Sequence, residues 1–146
     1  MSKYLVYVLL VVGGTFVSLQ ASINARLAKY VGFVESAFIS FTVGTMVLAA
    51  AVLLKNENGL KHIFEVPPVF LTGGMLGACF VFIITYSVHV TGVASALATA
   101  IGVQLLVGLL IDKYNPMNVI KLDVHWYNVL GVLFIILGII LLTRGR

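Results

Sequence analysis

The stretch VLGVLFIILGIILL, residues 129–142, contains no charged and no hydrogen-bonding side chain. A helix built from it is apolar on every face, which is typical of a segment surrounded by lipid or buried deep in protein. The flanking residues predict a helix over 127–143. At 1.5 Å per residue its length of about 25 Å approaches the hydrocarbon thickness of a bilayer, so we interpret it as a transmembrane helix.

Four similar apolar segments precede this one. We predict helices over 4–25, 34–54, 69–89, 92–112 and 127–143, and the first extends to about residue 29 if it is tilted. The breaks between them are Gly32, the polar stretch 55–59, Pro67–Pro68, a turn near 89–92 and the stretch 112–116. The predicted fold class is all-α: one polytopic membrane domain over 1–146, a bundle of five transmembrane helices. Because five is odd, the N- and C-termini are expected on opposite sides.

The composition of the whole chain agrees with a lipid environment. Of the 146 residues 61% are hydrophobic and only 10% are charged, whereas soluble domains carry about 25% charged residues. So few charges disfavour a soluble enzyme, a nucleic-acid-binding protein and a disordered chain. The nine Lys and Arg residues are scattered, so no basic run could follow a phosphate backbone. The sequence carries no catalytic, nucleotide-binding or metal-binding motif, so we expect no catalytic residues, no cofactor and no metal.

The basic residues hardly favour one orientation. With the predicted spans, five lie on the side of the N-terminus, which we call side A, and four on the opposite side B. Those on side A are Lys3, Lys55, Lys61, Lys113 and Lys121, and those on side B are Arg26, Lys29, Arg144 and Arg146. The positive-inside rule converts larger differences into a fixed orientation. Either one marginal charge or the first helix decides the orientation, or the chain inserts in both orientations and pairs with an inverted copy of itself.

Polar side chains concentrate in the halves of the helices near side B. Because hydrocarbon offers no hydrogen-bond partner, such residues tend to face a protein interior or a cavity. Gln20 and Asn24 are four residues apart and share one helical face, and Gln104 lies near the middle of its span. The candidate substrate-binding residues are Gln20, Asn24, Ser40, Tyr86, Thr99 and Gln104.

Helix packing is the alternative role for several of these residues. Ser40 and Thr99 suit hydrogen bonds to their own helix backbone, and Gln104 suits a bond between helices equally well as a substrate contact. In the last helix Gly131 and Gly138 are seven residues apart on one face. Small residues at this spacing permit close backbone approach, so this face predicts a helix–helix contact.

The stretches LQASINARL (19–27) and ISFTVGT (39–45) closely resemble the inner-membrane exporter family of the drug/metabolite transporter superfamily. GGMLGA (73–78) and AIGVQLL (100–106) extend the resemblance over essentially the whole chain. It implies a multi-pass protein of the bacterial inner membrane, of the half-size kind whose larger relatives carry two inverted halves in one chain. The last helix resembles that of small multidrug resistance transporters, which implies a dimer interface at Gly131 and Gly138. The first helix lacks their embedded glutamate, so the resemblance points to a neutral, zwitterionic or anionic substrate.

These features predict a small secondary transporter, an exporter of a small metabolite or drug that works as an antiparallel homodimer by alternating access. The expected partners are the substrate, the lipid bilayer and a second copy of the chain, and no nucleic acid is expected. A non-transporting accessory or assembly subunit of a larger membrane complex is the alternative. A polar pocket within the spans favours transport, because a scaffold would need none.

Overall fold

The computed structural model describes residues 3–55, 58–116 and 123–144. Its α-helices are α1 (Lys3–Val31), α2 (Phe33–Lys55), α3 (Gly73–Thr91), α4 (Val93–Tyr114) and α5 (Trp126–Thr143). Two 3-10 segments, Asn58–Glu65 and Pro68–Thr72, lie between α2 and α3. The described residues contain no strand, and five of their helical segments are long and apolar enough to cross a membrane. The predicted all-helical fold with five spans is confirmed.

At two places a single glycine separates one helix from the next. Gly32 separates α1 from α2 with φ of +99°, and Gly92 separates α3 from α4 with φ of +81°. Residues with a side chain rarely adopt this backbone region, so glycine is the residue that permits such an abrupt break. Helix α1 extends six residues beyond the predicted end at 25, because nothing before Gly32 interrupts the helical hydrogen bonds. Helix α4 ends at Tyr114, and the Asn115 that caps it is left-handed with φ of 44°.

The third span begins differently from the prediction. The predicted helix started at 69, whereas Pro68–Thr72 forms a 3-10 turn and the α-helix starts at Gly73. Pro67 and Pro68 have no amide proton to donate. They are tolerated in the first turn of a helix, because the amides of that turn have no carbonyl partner within the helix. Thr72 Oγ1 donates to the Val69 carbonyl at 2.7 Å and closes this turn. Together the turn and α3 form one span, Pro68–Thr91.

The chain divides into two compact units, Met1–His89 and Val90–Arg146. In the first unit α1 packs against α2, and small residues make up much of the buried contact. Ala21, Ala25 and Ala28 are buried on α1, and Ala37 is buried on α2. Small side chains allow the helix backbones to approach closely, which is the usual packing mode of helices in lipid.

In the second unit α4 packs against α5. Val132 of α5 is buried, and the Ile139 side chain lies so close to Gly102 that an added Cβ would be 2.7 Å from Ile139 Cδ1. The large apolar side chains of both units are mostly exposed. Such a surface would be unfavourable in water and suits contact with acyl chains.

Candidate functional site

A hydrogen-bonded polar cluster lies between α1 and α2. Asn24 is only 3% exposed, and its Nδ2 donates to Ser40 Oγ at 3.3 Å. Ser36 is fully buried, and its hydroxyl donates to the Asn24 backbone carbonyl at 2.9 Å. Both bonds join the two helices close to Gly32. Asn24 therefore contributes to helix packing, and it also reaches the neighbouring cavity.

The cavity lies between α1 and α3 in the first unit. Three polar residues line it, Gln20, Asn24 and Thr85, together with apolar residues that include Ala21 and Ile84. Its volume is about 10 Å³, close to the space that a single water molecule needs. The residues that line it carry no ionisable side chain. The cavity can form hydrogen bonds, but it offers no charge to a ligand.

Thr85 has the most unusual environment in this cavity. Its side chain is 0% exposed, and Oγ1 has no hydrogen-bond partner within the described ranges. Other hydroxyls on these helices donate to the carbonyl four residues earlier, as Ser87 does to Ile83 at 2.8 Å. A buried hydroxyl without a partner costs about 1–3 kcal/mol of stability. Such a group is therefore available to a ligand that enters the cavity.

Other candidate residues lie elsewhere in the first and second units. Tyr86 is 53% exposed, and its ring meets Phe33 edge to face at 5.2 Å, so Tyr86 does not line the cavity. Thr99 Oγ1 donates to the Ser95 carbonyl at 2.8 Å within α4, the backbone contact that packing hydroxyls often make. Gln104 is exposed and lines a groove between α4 and α5.

This α4–α5 groove is much larger than the cavity. Its volume is about 420 Å³, and its polar lining residues are Gln104, Asp112, Tyr127 and Asn128. Gly108 and Gly131 form part of its wall, and an added Cβ would meet no atom within 4 Å at either position. At its Asp112 end the groove adjoins a second depression that shares Asp112, Tyr127 and Asn128 and adds Asp123 and His125. The second unit therefore presents an open groove with two carboxylates near one end.

The family described as "Putative inner membrane exporter, YdcZ" matches residues 5–141. The chain belongs to this family. The match spans all five helices, and it confirms the family resemblance that the stretches on α1 and α2 suggested. Neither the curated proteins nor the solved structures give a match to this chain.

Membership of the YdcZ family indicates the environment of the helices. With five apolar spans in the described residues, the protein is a multi-pass protein of the inner membrane. The exposed apolar surfaces of α1 to α5 therefore face lipid or other membrane-embedded protein. The family description names an exporter, which is consistent with a transporter.

The last helix of this YdcZ family member leaves its glycines uncovered. Gly131 and Gly138 are both exposed, and an added Cβ would meet no atom within 4 Å at either one. Gly131 also lines the α4–α5 groove, whereas Gly138 does not. Neither glycine packs tightly against the rest of the described chain, so both remain available to a partner helix.

The sequence does not single out two residues that line these pockets, Thr85 and Asp112. Thr85 was visible as a polar residue of the third span, but the sequence does not reveal that α3 turns Thr85, and not Tyr86, towards Gln20. The period of α3 gives a partial signal, because Val81, Ile84, Thr85 and Val88 share one face. Asp112 was interpreted only as part of the polar stretch that ends α4, because its place in a groove depends on the packing of α5.

Proposed function

We propose that the chain is a secondary transporter that exports a small molecule and binds it at Gln20, Asn24 and Thr85. The observation that carries the proposal is the fully buried Thr85 hydroxyl, which has no partner among the described residues and lines a polar cavity in a member of an exporter family. A protein that served only as a scaffold would gain stability from an apolar residue at this position.

Each polar residue of the cavity has a distinct role in this proposal. Gln20 makes no hydrogen bond with the described residues, so its amide can donate to and accept from the substrate. Asn24 is held by Ser40 and fixes the α1 side of the site. Thr85 binds the substrate from α3. Gln104, Tyr86 and Thr99 act as further contacts along the transport path, and the small cavity widens when substrate enters.

The transport cycle proposed here uses two copies of the chain. Two antiparallel subunits would present their polar halves to opposite sides of the membrane, and a rocking motion would open one half while closing the other. Inverted repeats give larger transporters the same symmetry. The uncovered glycines Gly131 and Gly138 support a contact between the two copies along α5.

A thermal-shift screen of metabolites and drugs on the purified protein tests the binding site. A ligand of the folded state at one hundred times its Kd should stabilise the wild type by about 2.7 kcal/mol. The Gln20→Ala variant should lose this shift, while its unfolding temperature without ligand stays that of the wild type.

Ser18→Ala serves as the matched control on α1. Ser18 is exposed and its hydroxyl donates to the Gly14 carbonyl at 3.1 Å, so it lies outside the cavity and the variant should keep the ligand shift. If Gln20→Ala keeps the shift, the site is assigned wrongly. If no compound in a broad screen stabilises the wild type, the accessory-subunit alternative is favoured.

A further inference from the structure

The α4–α5 groove has a polar end and an apolar body. Asp112 lies in the last turns of α4, and Tyr127 and Asn128 lie in the first turn of α5, so all three line the same end. Away from this end Leu105, Leu109 and Ile135 give largely apolar walls, in which Gln104 is the one polar residue among those that line the groove. Such a groove matches an amphipathic molecule with a compact polar head.

The polar end lies where lipid headgroups would be. Spanning helices end at the membrane interface, where Trp and Tyr are enriched, and α5 begins with Trp126 and Tyr127. Gln104 lies eight residues before Asp112, about 12 Å deeper along α4. The groove thus extends from the headgroup region into the hydrocarbon, and its exposed wall residues leave it open to the bilayer.

The charge at this end favours a cation. Asp112 is half-buried and forms no salt bridge within the described ranges. The neighbouring Lys113 places its Nζ 5.6 Å from the centre of the Tyr114 ring. The Asn128 oxygen accepts a hydrogen bond from the His125 amide and helps to fix the start of α5. A primary ammonium group could donate hydrogen bonds to the Asp112 carboxylate.

We propose that the α4–α5 groove binds one phospholipid with a primary amine headgroup. An acyl chain lies along Leu105, Gly108 and Leu109, and the ammonium group binds Asp112. The bilayer itself supplies such a lipid at high concentration. Without the ammonium contact, acyl chains of any lipid would fill a groove that is open to hydrocarbon. A trimethylated headgroup carries the same charge but has no N–H to donate, so it should bind less tightly.

Native mass spectrometry of protein extracted from vesicles tests this proposal. The vesicles contain equimolar palmitoyl-oleoyl phosphatidylethanolamine and palmitoyl-oleoyl phosphatidylcholine, and the readout is the ratio of the two lipids retained per chain. The wild type should retain the ethanolamine lipid about fivefold over the choline lipid, the size expected for one additional hydrogen bond to the ammonium group. In Asp112→Asn the ratio should fall to about one.

Two further variants separate the headgroup contact from the acyl-chain contact. Glu65→Gln neutralises an exposed carboxylate of the first unit that does not line the groove, so the ratio should remain that of the wild type. Gly108→Leu places a side chain in open space within the groove, so both lipids should be lost. Equal retention of the two lipids by the wild type, or a preference that survives Asp112→Asn, overturns the proposal.

Discussion

At the scale of single residues, Thr85 holds a buried hydroxyl that lacks a hydrogen bond in the described chain. Replacing it by valine exchanges the hydroxyl for a methyl group of similar size and removes the cost of the unpaired group. We expect Thr85→Val to be more stable than the wild type by about 1 kcal/mol and to lose ligand-dependent stabilisation. Thermal unfolding in detergent, with and without a ligand from the screen, measures both effects.

Thr42→Val provides the contrast for this experiment. Thr42 is exposed on α2 and its hydroxyl donates to the Phe38 carbonyl at 2.9 Å, so no unpaired group is removed by the same substitution. Thr42→Val should leave the unfolding temperature and the ligand shift nearly unchanged. If Thr85→Val lowers stability, the hydroxyl has a structural partner and its assignment to a ligand fails.

For individual residues, the sequence could predict the α1 side of the site but not the α3 side. The depth of Gln20 and Asn24 in an apolar helix indicated polar groups that face a protein interior or a cavity. Asn24 is buried and bonded to Ser40, whereas Gln20 lines the cavity but is exposed. The partner on α3 could not be predicted, because Thr85 and Tyr86 lie at the same depth and differ only in the face they occupy. That face is decided by the rotation of α3 against α1, which depends on packing and not on hydropathy.

At the scale of helices, Gly32 permits the break between α1 and α2. Its φ of +99° disfavours any side chain, and an added Cβ would also collide with the Glu35 carboxylate. We expect Gly32→Ala to destabilise the protein by about 1–2 kcal/mol. Gly44→Ala is the matched control within α2, where a Cβ meets no atom within 4 Å, and it should stabilise by about 0.5–1 kcal/mol. Unfolding temperatures of the two variants should shift in opposite directions, and a harmless Gly32→Ala would contradict the strained backbone.

Helix positions were more predictable than helix ends. The apolar runs determine five spans because each is long enough for the bilayer and contains few charges. The position of the break at Gly32 was predicted, because glycine interrupts an otherwise helical pattern there. Its single-residue length was not, since the predicted helices ended at 25 or about 29 and restarted at 34. The 3-10 turn over Pro68–Thr72 was not, because two prolines permit either an early α-helix or a tighter turn.

At the scale of the whole molecule, the distribution of charge bears on orientation. Counted along the sequence with five spans, five basic residues are expected on side A and four on side B. So small a difference should let both orientations occur in one membrane. We expect a tag at the C-terminus to be accessible from both sides of the inner membrane in comparable amounts. Accessibility from one side alone, in protein that transports, would rule out inverted pairing.

Charge variants that fix the orientation give the stronger form of this test. Val69 and Val90 are both exposed, near the start and the end of the third span, so a lysine at either adds charge to opposite sides. Val69→Lys combined with Lys29→Gln leaves six basic residues on side A against three on side B. Val90→Lys combined with Lys61→Gln and Lys113→Gln leaves three against five. Each variant should insert mainly one way.

Transport by these two variants separates antiparallel from parallel pairing. An antiparallel dimer needs both orientations, so each variant alone should lose most transport of a compound that the wild type exports, and co-expression should restore it. A parallel dimer would place both polar cavities on one side of the membrane, and one variant alone would then keep full activity. Restoration that requires both variants would follow from antiparallel pairing, because only the mixed population supplies subunits whose polar halves face opposite compartments.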